Sequence, residues 1–259
     1  MKRILFLILV LIPLIQWAAT SSGDIKVICQ VTGPINTNCY LIYDTQSKEA
    51  ALIDPGWQVD KLTNYIREND LLLKYIFITH GHIDHFYYVP EIKKHYPVAK
   101  LCMHKDDYED TFTAIKWLTE NYGQEWIDEA NSEPDTKALL DFDMNLLGVP
   151  DIFAEGSQTF KLGSVEIKTI YSPGHSPGGI CYYTGNILFS GDVLFYRSVG
   201  RTDTQHGSRE AQLSTVRKLY ELFPDSTLVY PGHGQYTDIG SEKRDNPRIT
   251  VDGGSWDTK

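Results

Sequence analysis

The chain has 259 residues, of which 42% are hydrophobic and 22% are charged. These proportions are typical of a globular enzyme and exclude a disordered chain, and the length allows one large catalytic domain or two small ones. The formal net charge of −10 argues against nucleic acid as a partner, because no basic stripe is left to neutralise phosphates.

The N-terminus has the layout of a secretory signal peptide. A basic start at residues 2–3 precedes an almost wholly apolar run and a stretch of small residues that ends at Ser22. The apolar run is short and contains Pro13, which suits a cleaved signal better than a membrane span. We therefore expect a signal peptide over residues 1–22 and a domain over residues 23–259. The mature protein is then expected to be secreted or periplasmic, without stable membrane insertion. An uncleaved membrane anchor is the alternative.

Four cysteines follow, and none forms a CxxC pair: Cys29, Cys39, Cys102 and Cys181. Each lies in an apolar, strand-like context. Because spacing cannot establish pairing, disulfides and buried free thiols both remain open.

The first half of the chain predicts strands and helices in turn. Short apolar segments rich in β-forming residues predict strands at residues 25–31, 38–43, 50–53, 75–79 and 98–103. Helical spacing of apolar residues predicts helices at residues 58–69 and 86–94. Residues 104–155 are helical but irregular, with one helix ending near Gly123. Their aromatic side chains are expected to pack in the core or, alternatively, to line an apolar substrate pocket.

The second half repeats the pattern. Two hairpins are predicted, because Gly163-Ser164 and Gly185-Asn186 each separate a pair of strand-like segments. A helix follows at residues 209–223, capped by Ser208, and a last strand at residues 227–230. Strands and a helix in each half favour two similar β-rich halves within one domain.

One short segment is dense in metal-binding groups, namely His80-Gly81-His82-Ile83-Asp84-His85. Imidazole suits zinc or iron, and a carboxylate adds an oxygen ligand. The segment follows a predicted buried strand, and His80 and His82 are two apart on extended chain, so they point to the same side. Four ligand-type residues this close indicate a metal site rather than a solvated turn.

Three further polar residues lie beside glycine near strand ends, namely His175, Asp192 and His233. Strand ends converge on one edge of a sheet, so these side chains are candidates for the same site. The remaining histidines, His95, His104 and His206, are interpreted as ordinary surface or core residues.

The segment Gly174-His175-Ser176-Pro177-Gly178 also matches the G-x-S-x-G pattern of serine hydrolases. In that pattern the residue after the serine donates its backbone N–H to the oxyanion. Here that residue is Pro177, which has no N–H, and no helical pattern follows. We therefore reject a serine nucleophile.

Together these segments make the chain resemble the metallo-β-lactamase superfamily, and within it the glyoxalase II-type thioesterases. The resemblance runs from about residue 25 to residue 247. Besides the HxHxDH segment and the later His, Asp and His, it rests on Thr37-Asn38-Cys39-Tyr40, Ile53-Asp54-Pro55-Gly56, Gly191-Asp192-Val193-Leu194-Phe195, Gly200-Arg201-Thr202-Asp203 and Tyr230-Pro231-Gly232-His233-Gly234.

The resemblance implies an α+β fold, a four-layer αββα sandwich with a binuclear metal centre at the edge between two sheets. By position, it implies one metal on His80, His82 and His175, and another on Asp84, His85 and His233. Asp192 would bridge the two ions, and Asp54 would orient the ligand loop. Two divalent ions, zinc in the first place and iron or manganese as alternatives, lower the pKa of a bridging water and polarise a carbonyl. Asp84 is the expected catalytic residue, because it could orient the resulting hydroxide and take its proton.

The resemblance favours a small-molecule thioester such as an S-acylglutathione as substrate. Arg201 is expected to pair with a carboxylate or carbonyl of the substrate, an ion pair with Asp203 being the alternative, and Tyr196 is a second candidate contact. The tail is too short for the helical extension with which larger glyoxalase II enzymes grip glutathione, and export would remove the protein from most glutathione thioesters. A lactone, a β-lactam or another ester is therefore an alternative substrate. A mononuclear-iron persulfide dioxygenase, with a similar ligand set, is the alternative outside the hydrolases.

Overall fold

The computed structural model describes residues 25–249 together with Trp17 and Ala18. Two β-sheets pack face to face, and helices cover both outer faces, which confirms the α+β fold and the four-layer αββα sandwich. The predicted signal peptide lies outside the described residues, apart from the two residues of the first strand.

In the part of the chain that the structure describes, the first sheet has seven strands in the order of the sequence, β1 to β7. Its strands are β1 (Trp17–Ala18), β2 (Ile25–Thr32), β3 (Thr37–Asp44), β4 (Glu49–Ile53), β5 (Leu72–Phe77), β6 (Lys100–Met103) and β7 (Ile152–Phe153). Strands β1 to β4 pair antiparallel, and β4 to β7 pair parallel.

The second sheet has six strands among residues 25–249, in the order β15-β14-β11-β10-β9-β8. Its strands are β8 (Thr159–Leu162), β9 (Val165–Tyr171), β10 (Ile180–Thr184), β11 (Ile187–Gly191), β14 (Leu228–Pro231) and β15 (Thr237–Asp238), and a separate hairpin is formed by β12 (Leu194–Phe195) and β13 (Ser198–Val199). Strands β9, β11 and β14 run in the same direction, since β10 is antiparallel to both neighbours and β11 is parallel to β14. Their C-terminal ends therefore meet at one edge.

Aromatic side chains join the two sheets. The Phe77 ring of β5 lies 4.6 Å from the Tyr182 ring of β10 and 5.0 Å from the Phe160 ring of β8, measured between centroids. All three side chains are buried. This apolar layer fixes the position of one sheet relative to the other, and so the distance between loops that leave the two sheets.

Seven α-helices within the described residues complete the layers. They are α1 (Asp60–Glu68), α2 (Ile83–Phe86), α3 (Val89–His95), α4 (Lys105–Ser132), α5 (Pro134–Leu140), α6 (Arg209–Leu222) and α7 (Ile239–Asp245). Helices α1, α3 and α5 pack on the first sheet, whereas α6 and α7 pack on the second. Within the described part of the chain, no helix is long and apolar enough to cross a membrane.

Two helix predictions differ from the structure. The single helix predicted over residues 86–94 is two helices, α2 and α3, with Pro90 in the first turn of α3. Proline fits a first turn but lacks the N–H that a continuous helix would need. The helix predicted to end near Gly123 is only kinked there, where φ is 79° and ψ is 171°, and α4 resumes to Ser132.

Candidate metal centre

The candidate ligands lie on loops that leave both sheets at the same edge. His80 and His82 follow β5, and Asp84 and His85 belong to α2. His175, Asp192 and His233 follow β9, β11 and β14, the three strands of the second sheet that end together. The structure therefore brings all seven predicted ligands to one place, and it does so because two separate sheets end at a common edge.

Three imidazoles form the first donor group. His82 Nδ1 lies 3.0 Å from His80 Nε2 and 2.9 Å from His175 Nε2. One ring nitrogen cannot make good hydrogen bonds to two others that both direct a lone pair at it. Three nitrogens that converge on one point are instead a typical arrangement for a cation.

Asp84, His85 and His233 form the second donor group. Asp84 Oδ2 lies 3.2 Å from His85 Nε2 and 3.4 Å from His233 Nε2. The two histidine nitrogens are 3.3 Å apart. Within each of the two groups the potential ligand atoms all lie within 4.8 Å of one another.

Asp192 lies between the two groups. Its Oδ2 is 3.4 Å from His175 Nε2 and 3.6 Å from His233 Nε2, and its Oδ1 is 3.7 Å from His85 Nε2. Asp192 Oδ1 is buried and has no hydrogen-bond partner among the described residues. A buried carboxylate oxygen without a donor is costly unless a cation satisfies it. The donor set and this oxygen both fit a metal centre.

The outer nitrogens of three of the histidines face oxygen acceptors. His175 Nδ1 donates to the carbonyl of Arg201 at 2.7 Å, and His233 Nδ1 faces the carbonyl of Ile35 at 3.2 Å. His85 Nδ1 pairs with Asp54 Oδ2 at 3.0 Å. With the proton on Nδ1, the lone pair of Nε2 points toward the centre, which is the usual way in which metal-binding histidines are oriented.

The first group is poised to be uncharged at neutral pH. Burial lowers the pKa of His82 to about 3 and that of His175 to about 4, and it lowers the pKa of His80 well below its ordinary value. Burial also opposes charge on His85, but the carboxylates of Asp84 and Asp54 outweigh it and raise the pKa of His85. The three neutral imidazoles of the first group, those of His80, His82 and His175, are in the form that binds metals.

Asp54 lies behind the ligand loop. Its carboxylate accepts from Thr79 N at 2.8 Å and from Thr79 Oγ1 at 2.7 Å, besides its contact with His85. Its backbone has φ of 51°, a left-handed conformation that costs energy for a residue other than glycine. The hydrogen bonds to Thr79 and His85 hold the Asp54 carboxylate behind the ligand loop, where it can orient the His85 ring.

The start of β3 contacts two ligand-bearing segments that are far apart in the sequence. Thr37 Oγ1 donates to Asp84 Oδ2 at 2.7 Å. Asn38 donates its backbone N–H to the Gly232 carbonyl at 2.7 Å and its side-chain amide to the carbonyls of Pro231 at 2.9 Å and Gly234 at 2.8 Å. The Thr37-Asn38 pair thus positions both Asp84 and the loop that carries His233.

Asp107, in the first turn of α4, was not identified from the sequence. It is completely buried, and it accepts from Gly81 N at 2.8 Å, from Ser176 Oγ at 2.7 Å and from Gly178 N. It therefore ties the loop of His80 and His82 to the loop of His175. In the sequence it looks like half of an ordinary acidic pair at a helix N-terminus, and no local signal distinguishes it from Asp106.

The same contacts account for Ser176, the serine of the rejected hydrolase pattern. Its side chain is buried, and its hydroxyl is engaged by Asp107. Ser176 therefore holds a loop in place.

A cavity of about 600 Å³ opens above the centre. Its lining includes Arg201, whose Nε and Nη2 lie 2.7 and 3.0 Å from the carboxylate oxygens of Asp203 and whose Nη2 also contacts the Tyr122 hydroxyl. The ion pair considered as the alternative role of Arg201 is thus present. The lining contains Phe195 rather than Tyr196, whose ring lies 5.1 Å from the Arg197 guanidinium. Tyr196 belongs to the turn between β12 and β13, so it lies outside the strand that brings Phe195 to the cavity.

Comparisons with known proteins agree with this geometry. A family model described as the metallo-beta-lactamase superfamily matches residues 32–233. The chain is 34% identical over 213 residues to the hydroxyacylglutathione hydrolase GloC of Haemophilus influenzae, covering 81% of this chain and 91% of that protein. The crystal structure of the BLEG-1 B3 metallo-beta-lactamase is similar with a TM-score of 0.67 at 30% identity, covering 86% of this chain and 99% of that one. ETHE1 from Myxococcus xanthus is similar with a TM-score of 0.66 at 27% identity, covering 86% and 84%.

Proposed function

Because this chain belongs to the metallo-β-lactamase superfamily and is a metallo-hydrolase, we propose that it hydrolyses small-molecule thioesters such as S-acylglutathione at a pair of metal ions. The observation that carries the proposal is the presence of two complete donor groups with one carboxylate between them. His80, His82 and His175 would hold one ion, and Asp84, His85 and His233 the other. Asp192 would be shared.

The donor set also bears on the metal. Five imidazoles and two carboxylates suit zinc, and iron and manganese accept the same ligands. When bound, two such ions supply a water of lowered pKa and polarise the scissile carbonyl. Asp84 faces the cavity. Burial opposes its ionisation, but the neighbouring His85 and His233 rings hold its pKa well below the usual range. An ionised Asp84 can accept a hydrogen bond from the attacking water and take its proton.

Similarity to a hydroxyacylglutathione hydrolase supports the choice of a thioester. The test is metal analysis of the purified protein alongside hydrolysis of S-lactoylglutathione, other acyl thioesters, an acyl homoserine lactone and a β-lactam. We expect two metal ions per chain and the highest kcat/KM with a thioester. Preferred hydrolysis of the lactone or the β-lactam would contradict the thioester assignment and leave the hydrolase class intact.

A second candidate is a mononuclear-iron persulfide dioxygenase. His80, His85 and Asp192 lie within 4.8 Å of one another and form a two-histidine, one-carboxylate group, the donor set of non-haem iron oxygenases. One iron per chain and oxygen consumption with glutathione persulfide would favour this activity. Two metals per chain and no oxygen consumption would exclude it.

We also propose that residues 1–22 are removed on export and that the mature domain spans residues 23–259. Cleavage there would remove β1, whose Trp17 and Ala18 pair with Val27 and Lys26, and would leave β2 as the edge of the first sheet. Intact-mass measurement of the protein recovered from the medium or periplasm tests this. A full-length mass in the membrane fraction would instead indicate an uncleaved anchor.

A further inference from the structure

The cavity above the centre has two chemically different sides. Its floor is formed by ligand side chains such as His82, Asp84 and His233. The side formed by α4 is mostly apolar, and its members are Ala114, Ile115, Trp117, Leu118, Tyr122 and Trp126, which we call the α4 wall. Leu139 and Leu140 of α5 extend it.

Helical spacing and the kink together produce the α4 wall. Residues 114, 118 and 122 are four apart and lie on one face of a helix. At Gly123 the left-handed backbone turns the chain, and no atom lies within 4 Å of where a Cβ would be. The kink returns Trp126 to the cavity, so that its ring is 5.1 Å from that of Tyr122.

The α4 wall is only half-buried by the protein itself. Its two tryptophans and its tyrosine leave part of their rings facing the cavity. A concave, aromatic surface that the chain does not cover is typical of a binding site for an apolar group.

Polar residues other than the ligands lie beside the α4 wall. Arg201, Thr204 and Gln205 line the cavity there, Arg201 Nη2 contacts the Tyr122 hydroxyl, and Gln205 Nε2 donates to Asp110 Oδ1 at 2.8 Å. Arg201 is the only lysine or arginine among the described lining residues, and Asp203 already pairs with it. These three side chains offer hydrogen bonds to a polar molecule, whereas the α4 wall offers mainly aliphatic side chains and aromatic ring faces.

The two arms of a thioester would be sorted by this difference. A peptide-like thiol carrier has amides and carboxylates, and their burial against the α4 wall without hydrogen bonds would be costly. The carrier therefore fits beside Arg201, Thr204 and Gln205. The other arm, the acyl group, is left to face the wall.

We propose that the α4 wall is an acyl-binding site and that the substrates of this enzyme carry a bulky apolar acyl group, aromatic or of medium chain length. The inference rests on the proposed thioester hydrolysis for the identity of the apolar arm. Short polar acyl groups such as lactoyl leave the wall exposed to water, so they are poor substrates. Each methylene moved from water to the wall improves binding roughly fourfold.

The test measures binding rather than turnover. Straight-chain carboxylates from acetate to octanoate, together with phenylacetate, stand for the released acyl product, and their affinities for the zinc-loaded protein are measured by calorimetry. Octanoate has four more methylenes than butyrate, so we expect affinity to rise roughly 250-fold from butyrate to octanoate. In the Trp117→Ala and Trp126→Ala variants we expect the rise to be much smaller while acetate binds as in the parent.

Phe112→Ala is the matched control, because Phe112 is an aromatic residue of α4 that is 47% exposed and lies outside the cavity lining. It should keep the full dependence on chain length. Equal affinity for butyrate and octanoate, or the same rise in the tryptophan variants as in the parent, would overturn the acyl-binding site. If the protein hydrolysed no thioester, the proposed function would fail. That result is separate, because it would not alter the measured carboxylate affinities.

Discussion

Replacement of Asp107 should weaken both the fold and the metal centre. In Asp107→Ala the buried N–H groups of Gly81 and Gly178 and the Ser176 hydroxyl lose their acceptor. An unsatisfied buried donor costs about 1–3 kcal/mol, and since the three bonds share one carboxylate we expect a total loss of about 3–5 kcal/mol in the free energy of unfolding. Because two ligand loops are released from each other, zinc affinity should fall at least about tenfold.

The pH dependence gives Asp107 a signature of its own. Burial raises its pKa to about 7, although three hydrogen bonds act in the opposite direction. A carboxyl whose pKa is 3.8 when unfolded and about 7 when folded makes the native state bind more protons between those values. The contribution of Asp107 to the free energy of unfolding should therefore be greatest below about pH 4 and fall as the pH rises to about 7. Asp107→Asn should lack this slope.

Equilibrium urea unfolding at several pH values, with zinc affinity from chelator competition, measures both effects. Asp106→Ala is the control, because it removes the same charge from the same helix turn at a side chain that is 54% exposed. We expect that control to change stability by no more than about 0.5 kcal/mol. If Asp107→Ala unfolded at the same urea concentration as Asp106→Ala and bound zinc equally well, the role of Asp107 as a tie between the loops would be refuted.

The remaining predictions concern the centre and the cysteines. His82→Ala or Asp192→Ala should abolish hydrolysis while circular dichroism shows a folded chain, and full turnover by either variant would contradict the binuclear mechanism. Thr37→Val keeps the shape but removes the 2.7 Å hydrogen bond to Asp84, so kcat should fall about tenfold with a stability loss of about 1 kcal/mol; an unchanged kcat would show that Asp84 is oriented by other contacts. All four cysteines are unpaired. A reducing agent should therefore leave the melting temperature unchanged, and a lower melting temperature would reveal a disulfide.

The sequence predicted the metal ligands because residues that can bind metals lie directly after segments that read as strands. A dense histidine segment after an apolar strand, and single ligands beside glycine after other strands, identify residues that the sheets then bring together. The hydrophobic pattern also predicted two β-rich halves, because strands buried on both faces read as continuous apolar runs, as β3 does.

What the sequence could not supply is contact between distant polar residues. Asp107 is recognisable only once α4 has packed against two loops, and nothing in its neighbours predicts a buried acceptor there. Arg201 illustrates the same limit, because its pairing with Asp203 is local while its contact with Tyr122 depends on how the α4 insertion crosses the cavity. The kink at Gly123 likewise becomes meaningful only when Trp126 is seen to return to the cavity.

The link from Asn38 to Pro231 spans 193 positions of the sequence, and it has a consequence for biosynthesis. A growing chain can pair β2 with β3 early, but the carbonyls that Asn38 holds appear only after β14 has been made. Contacts of such wide separation close late, because the entropy of closing the intervening loop must first be overcome. The centre cannot be completed before β14 and His233 have been made, so an incomplete chain that lacks them would be catalytically silent.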